Sequence, residues 1–298
     1  MKTSSILKKL ALLSVGVTIS LSLQAQKSAD TVKGKINSHT VVFITGAFVS
    51  HHGWDEWKTY FEKKGYKTIA APWPHKDGKP SDLRAKHPND TALAALTMKE
   101  VVEYYADIVK NCPEKPIIIG HSFGGLITQI LVNRDLVAAG IAIHPAPTKG
   151  VLPYEYGFIR GGLPSLGLFT SKKKTYLMSF KKWQYAFTNG MTLEEQQKSY
   201  DENVIPESKT VARGGLSKTS KVDYKKEHPP LLITSGDKDH IIPSHLNKRN
   251  YKRYKQNASI LEYKEFKGRN HFVLGEATWT EDADYILQWI DKYSAKTL

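Results

Sequence analysis

The chain has 298 residues, of which 40% are hydrophobic and 24% charged. That supplies a full core for one large domain and excludes a disordered or fibrous chain. The net charge of +14 comes from lysines spread along the sequence with no nucleic-acid motif beside them, so it reads as solubility, and no nucleic-acid partner is expected.

Residues 1–25 stand apart from the rest. Lys2, Lys8 and Lys9 give a basic start, and residues 10–23 are apolar but too short and serine-rich to span a bilayer. Ala25 is a small residue at a cleavage point. The pattern predicts a signal peptide cut after Ala25 and a periplasmic or secreted mature chain, 26–298, with no stable membrane anchor after the cut. An uncleaved anchor is the alternative. Cys112 is the single cysteine, so no internal disulfide is possible, and it is given no catalytic role.

The mature chain begins with a polar lead-in. Residues 40–45 are β-branched enough to predict a strand, with Gly46, Ala47 and Phe48 in the loop after it. Residues 54–63 place Trp54, Trp57, Tyr60 and Phe61 on one helical face, and 67–71 predict a second strand. A turn-rich loop follows at 72–78. Residues 97–111 carry Met98, Val101, Val102, Tyr105 and Ile108 as a helical stripe.

Ile117, Ile118 and Ile119 then run through Gly120-His121-Ser122-Phe123-Gly124 into the helical spacing of Leu126, Ile127, Ile130 and Leu131. Strand, tight turn and helix with Gly-x-Ser-x-Gly at the apex expose a serine hydroxyl for nucleophilic attack. Gly120 and Gly124 let strand and helix pass close together. Residues 139–143 predict the next strand.

After Pro145 the alternation stops. Residues 150–224 are rich in aromatics, and Thr192-Leu193-Glu194-Glu195 fits a capping box. This stretch is expected to be an inserted cap that sets substrate choice without taking part in the chemistry. Phe48, Trp183 and Phe187 are candidate substrate contacts. Alternation returns with a strand at 231–234, a basic helix at 244–255, a strand at 260–266 and a helix at 283–293. Together these predict a mostly parallel central sheet flanked by helices.

A serine nucleophile needs a histidine base and a carboxylate that fixes and stabilises it. Asp237 and Asp239 follow the strand at 231–234, and His271 follows the last strand. Of the other histidines, His51 and His52 are placed near the pocket mouth, His121 pointing away from the serine, and His144 within reach of substrate. No histidine pair has the spacing of a metal motif, so no metal site is expected.

GHSFGG at 120–125, SGDKDHIIP at 235–243 and GRNHF at 268–272 resemble the nucleophile, acid and histidine loops of α/β-hydrolase fold proteins. The resemblance runs over residues 39–294 and implies that fold with a cap insertion at 150–224. It selects Asp239 over Asp237, because the family's acid sits three residues after the glycine and four before the proline. By analogy the oxyanion donors are the amides of Ala47 and Phe123. Relatives often carry His-Gly where this chain has Thr45-Gly46, which leaves the orientation of that loop open. The implied activity is hydrolysis of a small-molecule carboxylic ester by Ser122, Asp239 and His271 through an acyl-enzyme, with no cofactor. Lactone opening, acyl transfer and perhydrolysis by the same residues stay open, as does a non-catalytic binding role at the cell envelope. The oligomeric state is not legible.

Overall fold

Thr40–Ile44 (β1), Lys67–Ile69 (β2), Ile117–His121 (β3), Ala139–Ile143 (β4), Leu231–Gly236 (β5) and Leu261–Phe266 (β6) form a single sheet in this computed structural model. Residues 35–255 and 257–294 are described, so the expected signal peptide lies outside the described residues. The strand order is β2-β1-β3-β4-β5-β6, and every pairing is parallel. β1, β3 and β4 are buried along their whole length, which is why they read as unbroken apolar runs rather than alternating ones.

Helices cover both faces. Asp55–Lys63 (α1) follows a 3₁₀ turn at His51–Trp54, and two short helices, Pro80–Ala85 (α2) and Thr91–Ala95 (α3), occupy the connection after β2. Met98–Lys110 (α4) opens on a capping box between Thr97 and Glu100. Phe123–Asn133 (α5) leaves the Ser122 turn. Between β4 and β5 lie four short helices: Tyr156–Gly161 (α6), Phe180–Ala186 (α7), Leu193–Asn203 (α8) and Lys209–Gly214 (α9). Ser244–Arg253 (α10) and Trp279–Tyr293 (α11) complete the chain.

The sheet divides two apolar cores. One contains Trp54, Trp57 and Phe61 of α1 with Ile286, Trp289 and Ile290 of α11. The other joins α4, α5 and α10 to the segment between β4 and β5. Alternate residues of one strand serve opposite cores: Val41 and Phe43 face α1 and α11, while Val42 and Ile44 face the other side.

The expected elements appear with adjusted ends. α11 begins at Trp279, before the expected residue 283, because its first turn carries Glu281 and Asp282, whose polarity hid it. α2 and α3 were not expected. α3 is fixed by its cap, the Asp90 side chain accepting from Leu93 N, not by an apolar stripe. Between β4 and β5 the strand–helix alternation is absent, as expected, and α8 starts at the capping box of Thr192 and Glu195.

Candidate active site

The strand order turns back between β1 and β3, and ligands of open α/β sheets sit at the carboxyl ends of the strands at such a switch point. The loop after β1 carries Gly46, Ala47 and Phe48, and the turn after β3 carries Ser122. The sequence therefore brings both loops to one place. A Cβ at Gly46 would stand 2.8 Å from Ser122 Cβ, so only glycine lets the two loops touch.

Ser122 sits at φ 57° and ψ −117°, a conformation that costs on the order of 1–3 kcal/mol outside glycine. Neighbouring bonds enforce it. Ser122 N donates to Ile143 O at 3.0 Å, and Ala146 N donates to Ser122 O at 2.9 Å. The helix packs close because Gly124 has no side chain: a Cβ there would lie 2.0 Å from Ile44 O.

His271 comes from the loop after β6. Its Nε2 lies 3.0 Å from Ser122 Oγ. Its Nδ1 donates to Asp239 Oδ2 at 2.6 Å. Asp239 comes from the loop after β5, and its Oδ1 accepts from the amides of Ile241 at 3.0 Å and Ile242 at 2.7 Å. Because the carboxylate can only accept, Nδ1 of His271 carries a proton and Nε2 is free to accept from the serine. Burial alone would raise the Asp239 pKa, but the charge of His271 and the hydrogen bonds from His144 and His271 outweigh it and hold Asp239 well below the usual carboxylate range. Asp237 points elsewhere: its carboxylate accepts from Gly268 N at 2.7 Å, a turn contact outside this cluster.

His144 corrects an expectation. It does not reach toward substrate. It is fully buried, and its Nδ1 donates to the same Asp239 Oδ2 at 3.1 Å. His121 lies behind His271, donating from Nε2 to His271 O at 2.9 Å. Burial, with the charges of His271 and His144 added, pushes the His121 pKa well below its ordinary value. His144, Asp239 and His271 hold possible metal-ligand atoms within 4.8 Å of one another. Both ring nitrogens already converge on one carboxylate oxygen, so hydrogen bonding accounts for the cluster. His51 and His52 lie on the 3₁₀ turn, where His52 Nδ1 pairs with Asp55, and neither lines the cavity at Ser122.

The amides of Ala47 and Phe123 face no acceptor among the described residues. Their loop is held from behind. Trp73 Nε1 donates to Thr45 O at 3.1 Å, and Phe48 N donates to Glu207 Oε2 at 3.1 Å. Glu207 is buried and paired with Lys76, which lies 4.0 Å over the Trp73 ring. Burial lowers the Lys76 pKa against the opposing pull of Glu207. Phe48 itself sits at φ 70°, so this buried ion pair secures a strained residue next to Ala47. Neither Lys76 nor Glu207 was picked out in the sequence, where each stands alone in a polar stretch.

A cavity of about 250 Å³ opens at Ser122. Its walls include Phe48, Phe123, Leu126, Phe158, Leu166 and Ile242, and among the described residues no charged side chain lines it. Phe48 is thus where it was expected, but Trp183 and Phe187 are not. They stack on each other at 4.3 Å and are buried behind the histidine, with the Phe187 ring 4.7 Å from His271 in an edge contact. The Phe187 carbonyl accepts from Phe272 N at 3.0 Å. Through Phe187 and Glu207, the segment between β4 and β5 buttresses both the histidine and the Ala47 loop. The same segment also supplies Phe158, Leu163, Leu166 and Leu216 to the cavity wall.

A parallel sheet with Ser122, His271 and Asp239 converging at its carboxyl edge is the architecture of a hydrolase. The family model described as the alpha/beta hydrolase family matches residues 41–283, and the chain belongs to that family. No curated protein matches its sequence. Similar solved structures include a methylesterase from Arabidopsis, at 14% identity and TM-score 0.59, covering 85% of this chain and 98% of that one. A pyrethroid hydrolase from Sphingobium faniae aligns at 18% identity and TM-score 0.60, over 86% and 98%. A monoacylglycerol lipase from Paleococcus ferrophilus aligns at 19% and 0.59, over 88% and 98%. At these identities the likeness is one of fold.

Proposed function

We propose that this protein is an exported serine hydrolase of carboxylic esters whose acyl or alcohol part is apolar and uncharged. The observation that carries the reading is the relay at the cavity floor: Ser122 Oγ 3.0 Å from His271 Nε2, with His271 Nδ1 2.6 Å from Asp239. Ser122 attacks the ester carbonyl while His271 takes its proton. The negative charge that develops on the carbonyl oxygen is met by the amides of Ala47 and Phe123, each worth about 3–4 kcal/mol at comparable sites. The tetrahedral intermediate collapses, the alcohol leaves with the proton from His271, and an acyl-Ser122 ester remains. Water, deprotonated by His271, then attacks and releases the acid. Asp239 holds the imidazole and stabilises its charged form throughout.

The cavity supports the substrate class. Its uncharged apolar wall disfavours an ionised group. Two of the similar structures are named as an esterase and a lipase, in line with this reading. Residues 1–25 support export to the periplasm or the medium.

A fluorophosphonate probe with intact-mass readout tests the relay, and a panel of aryl esters tests the substrate class. One adduct, lost in Ser122→Ala together with ester hydrolysis, is the expected result. Hydrolysis surviving in Ser122→Ala at the parent rate would reject it.

A further inference from the structure

We propose that the mouth of the cavity is a docking surface for an anionic phospholipid bilayer. Among the described residues, nine large hydrophobic side chains are exposed, and eight of them fall at residues 152–169 or at 216. Ile159, Leu163 and Leu216 line the cavity itself, so they form its rim. Leu152, Tyr154, Tyr156, Leu168 and Phe169 extend the apolar surface along the same stretch. Phe169 is 100% exposed and Leu152 75%. A soluble chain with a well-filled core rarely leaves side chains of this size in water unless something covers them.

Charge selects the occupant. Residues 150–190 carry Arg160, Lys172, Lys173, Lys174, Lys181 and Lys182 against one acid, Glu155. Glu155 is itself buried and paired with Arg249, so it offers no exposed negative charge. Residues 208–221 add Arg213, Lys218 and Lys221 with no acid at all, Lys209 being buried with its Nζ donating to Ser171 O. Lys218 and Lys221, just past Leu216, border a groove also lined by Lys149, Lys225, Lys252 and Arg253, with Asp223 its single carboxylate. Apolar side chains ringed by cations match the interface of a bilayer bearing negative headgroups: the rings enter the acyl boundary while the lysines stay at headgroup level. A second copy of the chain would bring the same positive charge against itself. A membrane-crossing role is not implied, because no helix among the described residues is long and apolar enough to cross. The contact is peripheral, and it brings the cavity mouth to the surface where lipid-borne molecules are presented.

Sedimentation of the full chain with vesicles tests this, using phosphatidylcholine alone and phosphatidylcholine mixed with phosphatidylglycerol. Binding is expected to the mixed vesicles, weaker to the neutral ones, and reduced by salt. Leu168→Asp with Phe169→Asp changes two exposed side chains that do not line the cavity. It should weaken binding at least tenfold, given about 1.5–3 kcal/mol for each buried side chain. Hydrolysis of a short water-soluble ester serves as the check that the variant is folded. Should that variant misfold, Lys221→Glu with Lys225→Glu replaces it, with about a fivefold loss expected per lysine removed. Residues 10–23 are apolar and offer a competing explanation, but binding carried by them would be untouched by either pair of changes. Undiminished binding in the variants, or no binding to mixed vesicles, overturns the proposal. So does a dimer that Leu168→Asp with Phe169→Asp abolishes.

Discussion

Two imidazoles share one oxygen of Asp239, and only one of them faces Ser122. The second, His144, is positioned by the end of β4, which lies between the strand before the serine and the strand before the acid. We expect His144 to act as a positioning residue. A hydrogen bond to a charged group is worth about 1.5–3 kcal/mol, so His144→Phe should lower kcat roughly 10- to 100-fold with little change in KM. It also leaves the Asp239 charge wholly to His271, so the acid limb of the kcat/KM profile should move to higher pH. His144→Asn keeps a donor and should recover part of the loss. A pH profile that does not move while the rate falls would reduce His144 to a packing residue. Ser122 and His271 were legible in the sequence because each lies in a short loop of distinctive composition, whereas Asp239 was chosen over Asp237 only through the resemblance to α/β-hydrolases. The role of His144 was not, because it depends on which strands are neighbours. Spacing along the chain carries no trace of that order.

At the scale of elements, the segment between β4 and β5 divides its work in a way its aromatic composition concealed. Leu166, at the end of a 3₁₀ turn over Leu163–Leu166, lines the cavity, while Trp183 and Phe187 of the α7 region pack behind His271. Aromatic content set this segment apart but not which rings face substrate, since a ring in a wall and a ring in a buttress look alike in sequence. Leu166→Ala should therefore change chain-length preference, by about 1–3 kcal/mol per methylene accommodated. Phe187→Ala should lower kcat for all esters alike, because it loosens the imidazole instead of the pocket. Kinetics on a graded series of acyl esters separates the two. The Ala47 loop depends on the same segment through Glu207. Removing one partner of a buried ion pair costs about 3–5 kcal/mol, whereas replacing both with apolar residues is often neutral. Glu207→Leu alone should thus be strongly destabilised in urea unfolding. Lys76→Met with Glu207→Leu should regain stability yet stay slow, because Phe48 N still lacks its acceptor. Full recovery of kcat in the double variant would show that the pair serves the fold alone.

For the molecule as a whole, the buried histidines decide how it responds to acid. His121 and His228 are both held below their ordinary pKa, His121 by burial and the charges of His271 and His144, His228 by burial. Each stays neutral in the folded chain over a range where the unfolded chain has already taken up a proton. The unfolded state then binds more protons, so stability falls as pH drops below about 6.5, the ordinary histidine value, by up to about 1.4 kcal/mol per pH unit for each group. That stability is fully present above this value, and the loss ends only when the folded-state pKa is reached. Asp239, whose pKa is lowered, adds nothing in this window. Its contribution is present above the ordinary carboxylate value of about 3.9 and fails only as pH falls further. Glu276 and Asp282 have raised values through burial, so they take up protons in the folded state and oppose the loss nearer the carboxylate range. A chain of net charge +14 also repels itself more as its exposed histidines charge, but salt screens that repulsion over roughly 10 Å at 0.1 M. Burial is not screened. Urea unfolding between pH 7.5 and about 5.5 should therefore show a loss that persists at high salt. His121→Gln, which keeps a donor for His271 O, should reduce the slope by one group's share. If high salt removes the whole loss, or the slope in His121→Gln is unchanged, surface repulsion rather than the histidine behind His271 governs acid sensitivity.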